Sequence, residues 1–319
     1  MNNVSISAIR KFLKKPAVTR SINHSKITLD FYDNNLVMFR LNGKMMDWFH
    51  AYAKTDTSSI DTRTAQRKSI RTETIDGTCH IEAVYVSKDL TLKQYFEIEK
   101  DRNYFLTYIK ISGSRTIRSN ELVPMDFVYP HVESEELFLS LEEKMICVPY
   151  DNDMWVHYDS LPLRPGRTSY DVTAIYDDRN MKGMIIGALD FDTWKNAIVC
   201  SAYDARSFRA VSGIADAQTH DHLPHGYLEG KEITSSHFIC GFYDDVRDGL
   251  EEYGRLCING NGVYHWDHGV PFGWNSYSAL TLMTRLKDVE TAGDFIHEDL
   301  ENFRSEDGAT YINFDSVIN

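Results

Sequence analysis

Three side chains near the C-terminus form the pattern with the clearest chemical use. Trp274 and Asn275 fall at the strand end within the run GVPFGWNSY (269–277), and Asp315 follows Tyr-Ile-Asn-Phe in YINFDS (311–316). An indole face and an amide suit a sugar ring, and a carboxylate in the same mouth can take its hydroxyls. Such a mouth forms where parallel strands of a barrel end, because active sites there sit at the C-terminal face. Periodicity alone leaves structural alternatives open: Trp274 can plug a barrel, and Asp315 can cap the next helix.

A second candidate lies earlier. Asp151, Asp153 and Trp155 combine two carboxylates with an aromatic plate in a loop after a strand at Met145–Val148. The alternative is a solvated turn with Trp155 against a sheet. His220, Asp221, His222 and His225 make an H-D-H-x-x-H cluster. A zinc site needs three or four ligands converging in fixed geometry, and the chemistry inferred below needs none, so neither a metal nor any other cofactor is expected.

The elements that would position these residues change character along the chain. From about 26 to 240 the apolar pattern has period two: Ile27, Leu29 and Phe31 alternate, a turn at Asp33–Asn35 follows, and Leu36–Leu41 returns. Phe105, Thr107, Ile109 and Ile111 repeat the pattern, as do Val172, Ala174 and Tyr176. Turn residues such as Asn42-Gly43, Asp76-Gly77 and Pro165-Gly166 separate the runs. This predicts a large antiparallel β-sandwich. The stretch 54–74 reads as an exposed loop or a weak edge strand. Near 244 the period lengthens, with Asp244-Asp245 able to cap a helix carrying Val246, Leu250, Tyr253 and Cys257. Gly260-Asn261-Gly262 ends that helical linker, placing a domain boundary between 1–262 and 263–319. A strand at Val270–Asn275, a helical series from Leu282 to Phe303 interrupted near Gly293, and a strand at Tyr311–Phe314 then form a βαβ unit.

Composition narrows the partners. The 319 residues are 42% hydrophobic and 12% aromatic, with 18 Tyr and 16 Phe, which fits a packed, strand-rich protein. A net charge of −13 argues against nucleic acid and against an anionic membrane surface, leaving a neutral ligand as the best fit. The five cysteines are odd in number and contain no CxxC pair, so buried free thiols are expected. The N-terminal residues lack an apolar core for a signal peptide, and no run approaches the ~18 apolar residues of a membrane span. A cytoplasmic protein is the expectation.

The segment GVPFGWNSY…YINFDS resembles the opening of the catalytic barrel in α-galactosidase-like glycoside hydrolases of families 36 and 27. Tyr277 stands where many of those enzymes have Trp. The preceding sandwich resembles the N-terminal β-supersandwich of family 36, through VPYDNDMW (148–155), SYDVTAIY (169–176), DTWK (192–195) and LPHG (223–226). The resemblance implies a mainly β chain: a supersandwich followed by the first β-α-β of an incomplete (β/α)8 barrel. It implies a retaining hydrolase of α-linked galactosides or related glycans, using two carboxylates ~5 Å apart. In relatives these lie near strands 4 and 6, and a barrel takes ~250 residues. Asn319 follows strand 2, so no catalytic residue can be assigned here and the chain alone is expected to be inactive. Asp315 carries over as a hydroxyl-binding residue, Trp274 as pocket wall, and the 151–155 loop as one that can reach the barrel mouth. Family 36 enzymes are often oligomeric, which makes homo-oligomers compatible with the resemblance. The alternative is a non-catalytic carbohydrate-binding module.

Overall fold

The structure, a computed structural model, describes residues 16–128, 143–150, 157–201, 207–214, 226–262, 265–267 and 269–314. The chain divides into two compact units, Met1–Asn261 and Gly262–Asn319.

The first unit contains two antiparallel sheets. Among the described residues one has nine strands; its main path runs Val18–His24, Ile27–Tyr32, Val37–Leu41, Lys44–Lys54, Glu121–Phe127, Phe208–Ser212, Asn196–Cys200 and Thr168–Tyr170. Ser59–Asp61 pairs beside Lys44–Lys54. The other has ten strands; its main path runs Asp159–Pro162, Glu143–Cys147, Val172–Asp177, Gly183–Ala188, Phe238–Tyr243, Tyr104–Ser119, Leu90–Glu99, Thr78–Ser87 and Gln66–Ile75. Leu228–Thr234 pairs with the distal half of Tyr104–Ser119. The expected antiparallel sandwich is therefore present, and the ambiguous 54–74 stretch supplies the edge strand Gln66–Ile75.

Alternation fixes which side chains enter the core, because successive strand residues face opposite sides. In Lys44–Lys54, Phe49, Ala51 and Ala53 are fully buried while Trp48, His50 and Tyr52 face outward. Phe31, Phe39, Phe49, Phe127 and Phe208 from the nine-stranded sheet meet Phe96 and Phe105 from the other. Phe49 stacks on Phe105 at 5.8 Å and 15°, and Phe39 meets the same ring edge-on at 5.1 Å. Such pairs add to the area burial that drives the sheets together. All five cysteines are free; Cys79, Cys200 and Cys240 are buried.

Helix α1 (Val246–Asn261) covers part of the outer face of the ten-stranded sheet. Asp245 Oδ1 accepts from Arg247 N at 2.9 Å, satisfying a first-turn donor. Val246, Leu250 and Tyr253 pack on Ala174, Tyr176, Ile185 and Tyr243, and Leu256 and Cys257 on Tyr104, Leu189 and Ile239. Tyr253 also donates to the Ala188 carbonyl at 2.9 Å. The close approach requires glycine on both sides: a Cβ on Gly187 would lie 2.5 Å from the Tyr253 ring, and one on Gly249 2.6 Å from Ile185.

The second unit holds a parallel pair, Gly273–Asn275 with Tyr311–Asn313, connected by α2 (Ser276–Leu280), a 3-10 turn (Thr281–Met283) and α3 (Leu286–Asp299). The first strand is shorter than the expected Val270–Asn275, since Pro271 has no N–H to pair and Val270 is largely exposed. The helical series is interrupted between Met283, where the 3-10 turn ends, and Leu286, where α3 begins, rather than near Gly293, which sits inside α3; α3 ends at Asp299, short of Phe303. Among the described residues no helix is long and apolar enough to cross a membrane.

Candidate functional site

The strand-end residues fall on two faces. Phe272 and Trp274 alternate with Gly273 and Asn275, so each pair shares a side. The Phe272 ring meets Phe303 edge-on at 4.1 Å. Ile312, in register with Trp274, reaches toward Gly293 of α3. Trp274 thus belongs to the helix-facing side, where it lines a groove of about 290 Å³ with Phe272, Ala292, Phe295, Ile296 and Phe303. Asn275 lies on the opposite side. Its Oδ1 accepts from Tyr277 N at 2.9 Å and caps α2.

Gly273 allows the two strands to pair at all, since a Cβ there would lie 1.8 Å from the Tyr311 carbonyl oxygen. Asn313 stands in register with Asn275 and so shares its face. Tyr277, 39% exposed, begins α2 just beyond the strand end. The sequence reading named neither residue as a site, although the alternation in Tyr-Ile-Asn-Phe already placed Asn313 opposite in sense to Ile312. Asp315 lies outside the described residues.

In the sandwich, Asp151, Asp153 and Trp155 also lie outside the described residues, as do His220, Asp221, His222 and His225. The Tyr150 and Tyr170 rings are 5.3 Å apart, and Lys195 Nζ sits 4.0 Å from the first ring centroid and 5.2 Å from the second. Cation–π contacts of this kind are worth about 0.5–2 kcal/mol. Trp194, next in chain, donates its indole N–H to the Thr234 carbonyl at 2.8 Å. Among the described residues no three His, Cys, Asp or Glu side chains gather in a group that could hold a metal.

A cluster that sequence reasoning missed crosses the outer face of the nine-stranded sheet. Register sets His50 beside Asp126, and Asp126 beside Arg209. His50 Nε2 is 3.1 Å from Asp126 Oδ2 and Nδ1 is 3.2 Å from Asp61 Oδ1, both ion-pair contacts without hydrogen-bond alignment. Burial pulls the imidazole pKa down, but Asp126 and Asp61 together outweigh it, so the net direction is up. Burial likewise raises the Asp61 carboxyl, yet His50 and Arg63 bring it below its ordinary value. Tyr52 extends the row, donating to Glu121 at 2.9 Å and accepting from Arg209 at 3.0 Å. Chemically this is a ladder of alternating charge. Its imidazole is fully buried and has no access for a reacting group, whereas Asp61, Asp126 and Arg209 are partly exposed.

Comparison with known proteins places the fold. No protein-family model and no curated protein matches the chain. Solved structures do. A β-arabinopyranosidase superposes with a TM-score of 0.59 at 10% identity, covering 90% of this chain and 50% of that one. The α-N-acetylgalactosaminidase of Bifidobacterium bifidum, in complex with GalNAc, gives 0.56 at 9%, covering 93% and 52%. A variant of the family 36 α-galactosidase of Geobacillus stearothermophilus, in complex with 1-deoxygalactonojirimycin, gives 0.51 at 9%, covering 93% and 50%.

The two-sheet first unit therefore has the fold of a glycosidase's N-terminal β-sandwich region. More particularly, the chain corresponds in fold to the N-terminal portion of family 36 α-galactosidases and related glycoside hydrolases, and it spans about half the length of the structures it matches.

Proposed function

We propose that this chain forms the sandwich and the opening β-α-β of the barrel of an α-galactosidase-like retaining glycoside hydrolase acting on α-linked galactosides or related glycans. One observation carries the reading. A parallel strand pair linked through helices follows an antiparallel sandwich, in a chain that overlaps glycosidases over nine-tenths of its length. In this reading residues 1–262 are the sandwich domain with its helical linker, and 263–319 are the start of the (β/α)8 barrel.

Asn275 and Asp315, joined by Asn313 and Tyr277, would form the first wall of a sugar pocket at the strand ends. Trp274 would support that wall from behind, by packing on α3. Asp151, Asp153 and Trp155 would be a further set of sugar-contacting residues in the sandwich domain. No residue among these is a catalytic nucleophile or acid. Two carboxylates on further barrel strands would supply that chemistry.

The reading frame beyond codon 319 tests this directly. An open frame whose product hydrolyses p-nitrophenyl α-galactoside, while the 319-residue chain gives only blank rates, supports the reading. Turnover by the 319-residue chain sinks the claim that its catalytic carboxylates lie elsewhere. A stop codon at 320 favours the second reading, a non-catalytic carbohydrate-binding module, for which the open sheet face considered next is the favouring observation.

A further inference from the structure

Helix α1 covers only half of the outer face of the ten-stranded sheet. Beneath it the outward side chains are apolar, including Ala174, Ile185 and Ile239. On the other half, formed by Gln66–Ile75, Thr78–Ser87, Leu90–Glu99 and the start of Tyr104–Ser119, the outward side chains change character. Register arranges them in two rungs. Arg71, Glu82, Tyr95 and Tyr108 stand side by side across four strands, and Glu73, His80 and Glu97 form the neighbouring rung.

These rungs line a groove of about 580 Å³, within the range of about 300–1,000 Å³ usual for ligand sites. Its centre is an aromatic stack. Tyr95 and Tyr108 lie 4.7 Å apart at 10°, and His237 packs on Tyr108 at 4.2 Å. His237 is itself held by Asp190 Oδ2, which is 2.8 Å from its Nδ1 and accepts its backbone N–H at 2.6 Å. Tyr108 covers one face of Tyr95, so the other face turns toward the Thr78–Ser87 strand and the groove. The Tyr95 hydroxyl donates to Glu82 Oε2 at 3.1 Å, and His80 Nδ1 faces Glu97 Oε1 at 3.7 Å.

We propose that this half-face is a binding surface for a neutral glycan, separate from the strand-end pocket and independent of any hydrolytic role. The chemistry selects that occupant over others. Three carboxylates against Arg71 and His80 disfavour an anionic polymer. The groove is walled by charged and hydroxyl-bearing side chains and carries no exposed large aliphatic one, Ile75 at the hairpin end lying outside it, so it offers hydrogen-bonding groups around one ring face rather than an apolar patch. What remains is a ring face for the apolar side of a pyranose, carboxylates to accept from its hydroxyls, and a guanidinium to donate to them. A rigid sheet with stacked rings holds these groups without side-chain ordering on binding.

Native affinity electrophoresis of the 319-residue chain tests the proposal, with galactomannan, arabinoxylan or dextran in the gel and polygalacturonate as an anionic control. At least one neutral polysaccharide should retard the chain. The Kd read from that retardation should weaken at least tenfold in Tyr95→Ala and Tyr108→Ala, and several-fold in Arg71→Ala and Glu97→Gln. It should not change in Arg247→Ala, on the exposed start of α1, and a loss confined to Trp274→Ala or Asn275→Ala places the binding at the strand-end site and overturns the proposal. Where a tyrosine variant fails to give the parent circular dichroism, Arg71→Ala and Glu97→Gln at the groove wall carry the test. Retardation by none of the neutral polymers, by polygalacturonate alone, or at parental strength in the groove variants overturns the proposal.

Discussion

Replacing Asp47 by Asn should stabilise the protein, and by an amount that depends on pH in a defined way. Asp47 is 4% exposed, in the strand Lys44–Lys54. Burial drives its pKa up to about 8, and the hydrogen bond from Trp48 N–H at 2.7 Å offsets only part of that. Burial, followed by the charge of Asp47, also raises the Cys240 thiol, which puts the carboxyl close to the opposite sheet. In the unfolded chain Asp47 titrates near the ordinary ~3.9. Between these values the unfolded state is ionised and the folded state keeps its proton, so ionisation favours unfolding as pH rises. At about 1.4 kcal/mol per unit, the penalty reaches up to about 4 kcal/mol at pH 7, about 1.5 at pH 5 and under about 1 at pH 4. Asn keeps the shape and an acceptor for Trp48 N–H but carries no titratable proton. Urea unfolding of parent and Asp47→Asn between pH 4 and 9 measures the difference. It should be small at pH 4, widen through neutrality and flatten above about 8. A difference that is constant with pH, or an Asn variant less stable at pH 7, refutes the reasoning.

Two further substitutions probe the sandwich. His50→Leu leaves Asp61 and Asp126 without the charge between them and should cost about 3 kcal/mol near pH 6, as breaking a buried pair does. Because the folded imidazole pKa is raised, its stabilisation is full below about 6.5 and lost as pH climbs through the folded value. The gap between parent and variant in urea unfolding should therefore shrink by pH 9, and a gap that widens there contradicts the ladder. Gly213→Ala should cost about 2–4 kcal/mol, since φ is +92° and a Cβ would lie 2.2 Å from the Asn120 carbonyl oxygen. Gly226→Ala, which meets nothing within 4 Å among the described residues, should stay within about 0.5 kcal/mol in the same urea unfolding assay.

The sandwich was legible because burial imposes period two on each strand. Phe105, Ile109 and Ile111 enter the core, and their alternation is visible without a partner strand. Helix α1 was legible for the corresponding reason at helical spacing, with Val246, Leu250 and Tyr253 on one side. What periodicity does not carry is pairing. Phe127 and Phe49 are 78 positions apart in a row of matched residues, and only the register Phe127↔Phe49 brings them together. Helix α2 was missed for a local reason: its five residues are too few to show helical periodicity, and Thr281 at positive φ ends it.

The same limit explains why the polar clusters escaped sequence reasoning. His50 comes from one strand, Asp126 from another and Asp61 from a third, and none has a neighbour in sequence that marks it. Tyr95 and Tyr108 are likewise unremarkable alone. They become a stack because the register of Leu90–Glu99 with Tyr104–Ser119 sets them directly opposite, at the spacing where cross-strand aromatic pairs interact. Motif reading finds sites built from residues close in sequence, such as Trp274 and Asn275, and even there alternation decides which one turns toward the helix. A sheet surface builds its sites across strands. Its chemistry therefore appears only once the ladder is known, as the rungs of the ten-stranded sheet beyond α1 illustrate.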